Sequence, residues 1–130
     1  MDLKELRQSS KIRQFAASFL FAGNGLKYVM KHERNFKFHI GASIIAIILG
    51  TLLSLEKWEW LILLLTISGV LSLEIINTAI EKTVDLVTEE YHPTAKMAKD
   101  LAAGAVLLAA IFSVIIGCIL FLPKIAHFFL

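Results

Sequence analysis

Glu74, Asn77, Glu81 and Asp85 lie in the run Leu73-Glu74-Ile75-Ile76-Asn77-Thr78-Ala79-Ile80-Glu81, which continues to Asp85 and follows a long apolar stretch. With about 100° of rotation per residue, the four side chains gather on a narrow arc of one helix face. A charge in hydrocarbon costs roughly 2.5–3.5 kcal/mol on insertion scales. Polar groups converging on one stripe at that cost point to a site. Desolvation disfavours an ionised carboxylate, and Glu74 so placed can accept a proton from an alcohol. The bland role for Glu74 is a neutral group bonded to another helix. Asn77 and Glu81, one and two turns further on, favour chemistry.

Glu81 and Asp85 carry the hard oxygen donors that Mg²⁺ takes together with water and substrate phosphates. Glu33, in Lys31-His32-Glu33-Arg34-Asn35-Phe36, is a second candidate ligand. Lys99 can neutralise phosphate charge; its bland role is to snorkel or to pair with Glu81 or Asp85. Depth orders these groups. Glu74 follows Trp60, an interfacial residue, by 14 positions, which is about 21 Å of helix. Glu81 is about 10 Å further, at the opposite boundary. One end of the stripe is therefore wet and anionic and the rest dry, a gradient suited to chemistry between a water-soluble reactant and a lipid.

The chain around this stripe has 130 residues, 57% of them hydrophobic, and a mean hydropathy of +0.72. That composition excludes an ordinary soluble domain and predicts an all-α membrane protein. Residues 1–32 mix basic and apolar side chains. Ile12, Phe15, Ala16, Phe19, Gly23 and Leu26 share a face, as in an amphipathic helix lying on a membrane, with Gly23-Asn24-Gly25 as the place to break it. Phe15 to Gly25 is a poor signal-peptide core, without a small-x-small cleavage site, and reads as retained.

Three membrane helices follow, at about 36–55, 60–87 and 96–122. Glu56-Lys57-Trp58-Glu59-Trp60 forms a polar turn with interfacial tryptophans, and Glu89-Glu90-Tyr91-His92-Pro93-Thr94 a polar loop whose proline can open the last helix. Pro123-Lys124 is expected to close that helix. The basic residues ahead of the first span, and Lys82, Lys96 and Lys99 around the second loop, place the N-terminus and the stripe's wet end in the cytoplasm. Small residues on the third span (Ala98, Ala102, Ala105, Ala109, and Ala110, Ser113, Gly117) allow close helix approach. Three spans make a thin bundle, so association between chains is expected.

No GxxxxGK[ST] or protein-kinase motif set is present, the four histidines lack a zinc spacing, and Cys118 is the only cysteine. A nucleotide would have to be held by metal carboxylates and Lys99. A proton or cation path through an oligomer is the competing class. It would need polar residues continuing outward, and Leu61 to Leu71 offers only Thr66, Ser68 and Gly69. A structural subunit leaves the carboxylate stripe unexplained.

The block Glu74-Ile-Ile-Asn77-Thr-Ala-Ile-Glu81-Lys-Thr-Val-Asp85, the block Ala98-Lys99-Asp100 with Ala102-Ala103-Gly104-Ala105-Val106-Leu107, and Glu33-Arg-Asn-Phe36 resemble the motifs of the small prokaryotic diacylglycerol kinases. The wording of these blocks, with the Phe-Leu-Pro-Lys tail, is most similar to the Gram-positive branch of that family, the undecaprenol kinases. The resemblance implies a homotrimer with composite active sites at the cytoplasmic membrane face, and no nucleic-acid partner. It implies Glu74 as catalytic base and Asn77 as the residue orienting the site. Glu33 and Glu81 would hold the Mg²⁺ on ATP, and Glu90, Tyr91, His92, Lys99 and Asp100 would line the nucleotide site. Residues that contact nucleotide ahead of this region in the diacylglycerol kinase branch fall on Gln14 and Phe21, with Arg13 as a substitute. The expected reaction is transfer of the γ-phosphate to a lipid alcohol, undecaprenol first and diacylglycerol second.

Overall fold

The computed structural model describes residues 2–130, and every regular element among them is an α-helix. Two compact units divide at Glu33 and Arg34.

The N-terminal unit holds α1 (Leu3–Gln8) and α2 (Lys11–His32). Asp2 caps α1, its backbone N–H donating to Glu5 Oε2 at 3.2 Å. The helix stops at Ser9, whose hydroxyl donates back to Leu6 O (2.7 Å). Ser10 then caps α2 by accepting from Arg13 N, and Gln14 Nε2 clasps the joint by donating to Ser9 O (3.0 Å). The break in the expected surface helix thus lies at two serines that bond backbone, and not at Gly23-Asn24-Gly25, through which α2 runs unbroken. Two glycines weaken a helix by only about 1 kcal/mol each, whereas a pair of competing caps redirects the chain outright. Ile12, Phe15 and Phe19 are exposed, the two phenylalanines meeting edge-to-face with centroids 5.2 Å apart. An exposed aromatic face beside lysines and arginines is the pattern of a helix lying in a membrane interface.

The second unit holds α3 (Arg34–Leu52), α4 (Lys57–Val87) and α5 (Pro93–Phe129). All three are long and apolar enough to cross a membrane, which marks a multi-pass membrane protein. α4 packs chiefly on α5, with α3 against both. At 1.5 Å per residue α4 is about 46 Å long against a hydrocarbon core of roughly 30 Å, so one end stands in headgroups or water.

Helix ends differ from the expected 36–55, 60–87 and 96–122 for identifiable reasons. α3 begins at Arg34, and it ends earlier because Ser54 adopts a positive φ of 54° and Leu55 N reaches back to Gly50 O (3.0 Å), a left-handed termination. α4 begins three residues before Trp60, since Glu56 and Glu59 form a capping box. Glu59 is therefore a buried residue of the first helical turn, accepting from Glu56 N at 2.7 Å and paired with Lys124 Nζ at 3.0 Å. His92 caps α5 and Pro93 opens it. Pro123 does not close α5; the helix continues to Phe129. A proline inside a helix costs about 3 kcal/mol, opposed here by the Lys124–Glu59 pair and by Ile125 packed on the core cluster.

That cluster consists of Leu55, Leu63, Leu120 and Phe121, with Trp60 and Ile116 against it. Trp60 lies over Gly50, where an added Cβ would stand 2.9 Å from Leu55 Cδ1 and 3.0 Å from the indole. Gly50→Leu is expected to overpack this turn and destabilise the protein by about 1–3 kcal/mol. Thermal unfolding in detergent micelles measures it; an unchanged midpoint would show that the contact is slack.

Candidate active site

The buried face of α4 is the polar stripe itself. Leu63, Val70, Glu74, Asn77 and Thr78 are its buried residues beyond the first turn. Packing follows the arc because α3 and α5 meet α4 along that line. Glu74 is only 2% exposed, and the next turn is tied to it by Thr78 Oγ1 donating to Glu74 O (3.1 Å). Glu74 and Asn77 open onto a cleft of about 230 Å³ between the three helices, floored by Ala103, Val106 and Ala110 of α5.

Asn77 is 9% exposed, and its two amide atoms are treated differently. Nδ2 donates to Glu81 Oε1 (3.4 Å), whereas Oδ1 is buried without a hydrogen-bond partner among the described residues. A buried acceptor left unsatisfied costs about 1–3 kcal/mol, so it is a place for a ligand O–H or N–H. Asp85, two turns beyond Asn77, accepts from Lys99 Nζ at 2.5 Å. This pair joins α4 to α5 and settles the bland alternatives for Lys99: its partner is Asp85 and not Glu81.

The other expected nucleotide residues lie around the α4–α5 loop. Glu90 and Asp85 border a shallow surface depression of about 740 Å³. Tyr91 is exposed, and His92 caps α5 through one ring nitrogen, Nδ1 accepting from Thr94 N at 3.2 Å. Asp100 pairs with Lys96 on the exposed side of α5, which sets it apart from the Asp85–Lys99 pair. Glu33 ends α2, its N–H donating to Val29 O (2.9 Å). Of the small-residue lines on α5, Ala102 is buried and Ala105 exposed.

Two cleft residues carried no signal in the sequence reading: Asn35 and His39, one turn apart on α3, line it with Glu74 and Asn77. Their spacing puts them on one face near the start of α3, which is the trace the sequence did carry.

Among the described residues no three His, Cys, Asp or Glu side chains cluster closely enough to hold a metal by themselves. Mg²⁺ is usually held by one or two carboxylates, with nucleotide phosphates and water completing the octahedron. Glu81, half-buried where the stripe emerges and tied to Asn77, is a carboxylate of that kind, whereas Asp85 is engaged by Lys99. Chemically the site joins a dry carboxylate to a wet, charged rim about 10 Å away along α4.

Comparison with known proteins agrees with this chemistry. The family model for prokaryotic diacylglycerol kinase matches residues 20–121. The undecaprenol kinase of Bacillus subtilis (strain 168) is 49% identical over 125 residues, covering 96% of this chain and 100% of that relative. The diacylglycerol kinase of Synechocystis sp. is 47% identical over 109 residues, 83% of this chain and 62% of the relative. The diacylglycerol kinase of Escherichia coli (strain K12) is 33% identical over 100 residues, 77% of this chain and 82% of the relative.

Proposed function

This chain belongs to the prokaryotic diacylglycerol kinase family and is a lipid kinase, and we propose that it phosphorylates undecaprenol to undecaprenyl phosphate with ATP as the phosphoryl donor. The observation that carries the reading is Glu74, 2% exposed and lining a cleft together with an amide oxygen that lacks a donor. A lipid hydroxyl entering the cleft supplies that donor.

Asn77 Oδ1 holds the hydroxyl until Glu74 takes its proton. The alcohol oxygen then attacks the γ-phosphorus in line, the new O–P bond forming as the bond to the β-phosphate oxygen breaks, and ADP leaves. Burial keeps water from competing for the phosphoryl group. Glu81, with Glu33 on the strength of the family resemblance, would hold the Mg²⁺ that arrives on the nucleotide, and the metal when bound offsets phosphate charge. Lys99, kept at the rim by Asp85, adds a fixed positive charge there. Glu90, Tyr91, His92 and Asp100 are proposed as the nucleotide's remaining contacts, again from the resemblance.

The basic residues ahead of α3 support a cytoplasmic N-terminus and a cytoplasmic site. A homotrimer is the proposed assembly, on the strength of the family resemblance.

Offering the purified protein labelled ATP with undecaprenol or diacylglycerol in separate micelles tests the acceptor. The expected result is a kcat/KM for undecaprenol about tenfold or more above that for diacylglycerol, a difference of ~1.4 kcal/mol in transition-state binding. A preference for diacylglycerol would overturn the assignment.

A further inference from the structure

Imidazole is the side chain that gains and loses a proton near neutral pH, and His39 brings one to the wall of the cleft. Apart from Glu74, the other lining residues are Asn35, Asn77, Ala103, Val106, Leu107 and Ala110. Phosphoryl transfer itself gives His39 no task. Its carbonyl accepts from Ser43 Oγ at 2.7 Å. Its ring meets Phe38 edge-to-face, with centroids 5.8 Å apart, and makes no hydrogen bond among the described residues.

Each turnover loads one proton onto Glu74. A protonated carboxyl cannot serve as base again, and at 2% exposure Glu74 is badly placed to lose that proton to bulk water. Two routes lead away from it. Along α4 the next polar group of the stripe is Asn77, whose Nδ2 donates to Glu81 Oε1 (3.4 Å). An amide is a donor and an acceptor but does not titrate near neutral pH, so the stripe is broken as a proton path one turn past the base. Across the cleft the wall carries His39 and, one turn before it, Asn35. His39 lies five residues after Arg34, where α3 begins, which is about 8 Å of helix. No titratable side chain of α5 lines the cleft.

We propose that His39 is the proton exit of the active site. The proton that Glu74 takes from the lipid hydroxyl passes to one ring nitrogen of neutral His39, directly or over a water in the cleft, and Glu74 returns to the carboxylate. The imidazolium releases the proton on its other nitrogen to water at the Asn35 end of the cleft, and the ring is neutral again. A cleft of about 230 Å³ has room for water, whose share of the liquid is about 30 Å³ per molecule. The transfer leaves opposite charges side by side, which offsets part of the cost of burying them. The inference rests on the reading of Glu74 as the base and adds how that base is restored between turnovers.

Timing gives the test. Purified His39→Gln and His39→Asn proteins in undecaprenol micelles are mixed rapidly with labelled ATP and Mg²⁺. Product is counted per site that binds an ATP analogue, so unfolded protein does not enter the count. Resting enzyme has had time to lose its proton by slower routes, so the first turnover is expected at the wild-type rate. Later turnovers are expected to be about tenfold or more slower, leaving a burst of about one product per site. A steady-state kcat within about twofold of the wild type in both variants overturns the proton exit. So does a first turnover slowed as much as the later ones, which would make His39 part of the transfer step or of the packing. Glu74→Gln separates this proposal from the reading beneath it, because loss of the base slows first and later turnovers together. A normal first turnover in Glu74→Gln overturns the base and the proton exit with it; normal steady turnover in the His39 variants overturns the proton exit alone.

Discussion

Glu74→Gln is expected to lower kcat for lipid phosphorylation by about 10²–10⁴-fold, the range for removal of a general base. Glutamine keeps the shape and the hydrogen-bonding capacity of the side chain but cannot take a proton. At 2% exposure Glu74 is held by its neighbours except where it borders the cleft, so an isosteric amide should leave the helices, the oligomer and nucleotide binding as they are. Phosphorylation assays, equilibrium binding of an ATP analogue and crosslinking of the assembly separate these effects. Turnover within a few-fold of wild type in a well-assembled Glu74→Gln protein would remove the base from the mechanism.

Glu81→Gln should produce a different defect. Glu81 Oε1 already accepts from Asn77 Nδ2 (3.4 Å), and a glutamine oxygen can do the same, so the orientation of Asn77 survives. What disappears is a negative charge at the rim. The expected outcome is a KM for the metal–nucleotide complex raised about tenfold or more, with a higher concentration of Mg²⁺ needed for half-maximal rate and a smaller change in kcat. Titrating activity against free Mg²⁺ at fixed ATP gives the answer. A metal requirement identical to that of the wild type would show that Glu81 serves only to hold Asn77.

The two substitutions act on one stripe, seven residues apart, yet at different burial. Glu74 lies in the packed interior of the bundle, and Glu81 is half-buried where the stripe emerges. The Asp85–Lys99 pair stands one turn further out. This ordering from buried to exposed is what the proposed mechanism requires of one helix that presents a base to a lipid and charge to a nucleotide.

Much of this was legible before any fold was known. Hydropathy and a 3.6-residue period are local properties, so the three spans, the amphipathic N-terminal segment and the common face of Glu74, Asn77, Glu81 and Asp85 could be read from residue order alone. The resemblance carried by those same blocks led to the family. Helix ends were less legible where partners distant in sequence decide them. Pro123 is a stop signal by itself, but α5 passes through it with Lys124 held by Glu59 from the start of α4. Gly23-Asn24-Gly25 is a break signal by itself, but the serines at 9 and 10 take that role through their own backbone bonds.

The amino-acid sequence by itself determined which residues could do chemistry and on which stripe they lie, because helical periodicity fixes side-chain direction without reference to anything else. Only the tertiary structure decided what faces the stripe. It brought Asn35 and His39 from α3 to Glu74 and Asn77, and Lys99 from α5 to Asp85 and not Glu81. It also left one amide oxygen without a donor among the described residues. Such pairings depend on the rotation and depth at which three helices meet, set by the packing of Leu55, Leu63, Leu120 and Phe121, and no periodicity within one helix encodes them.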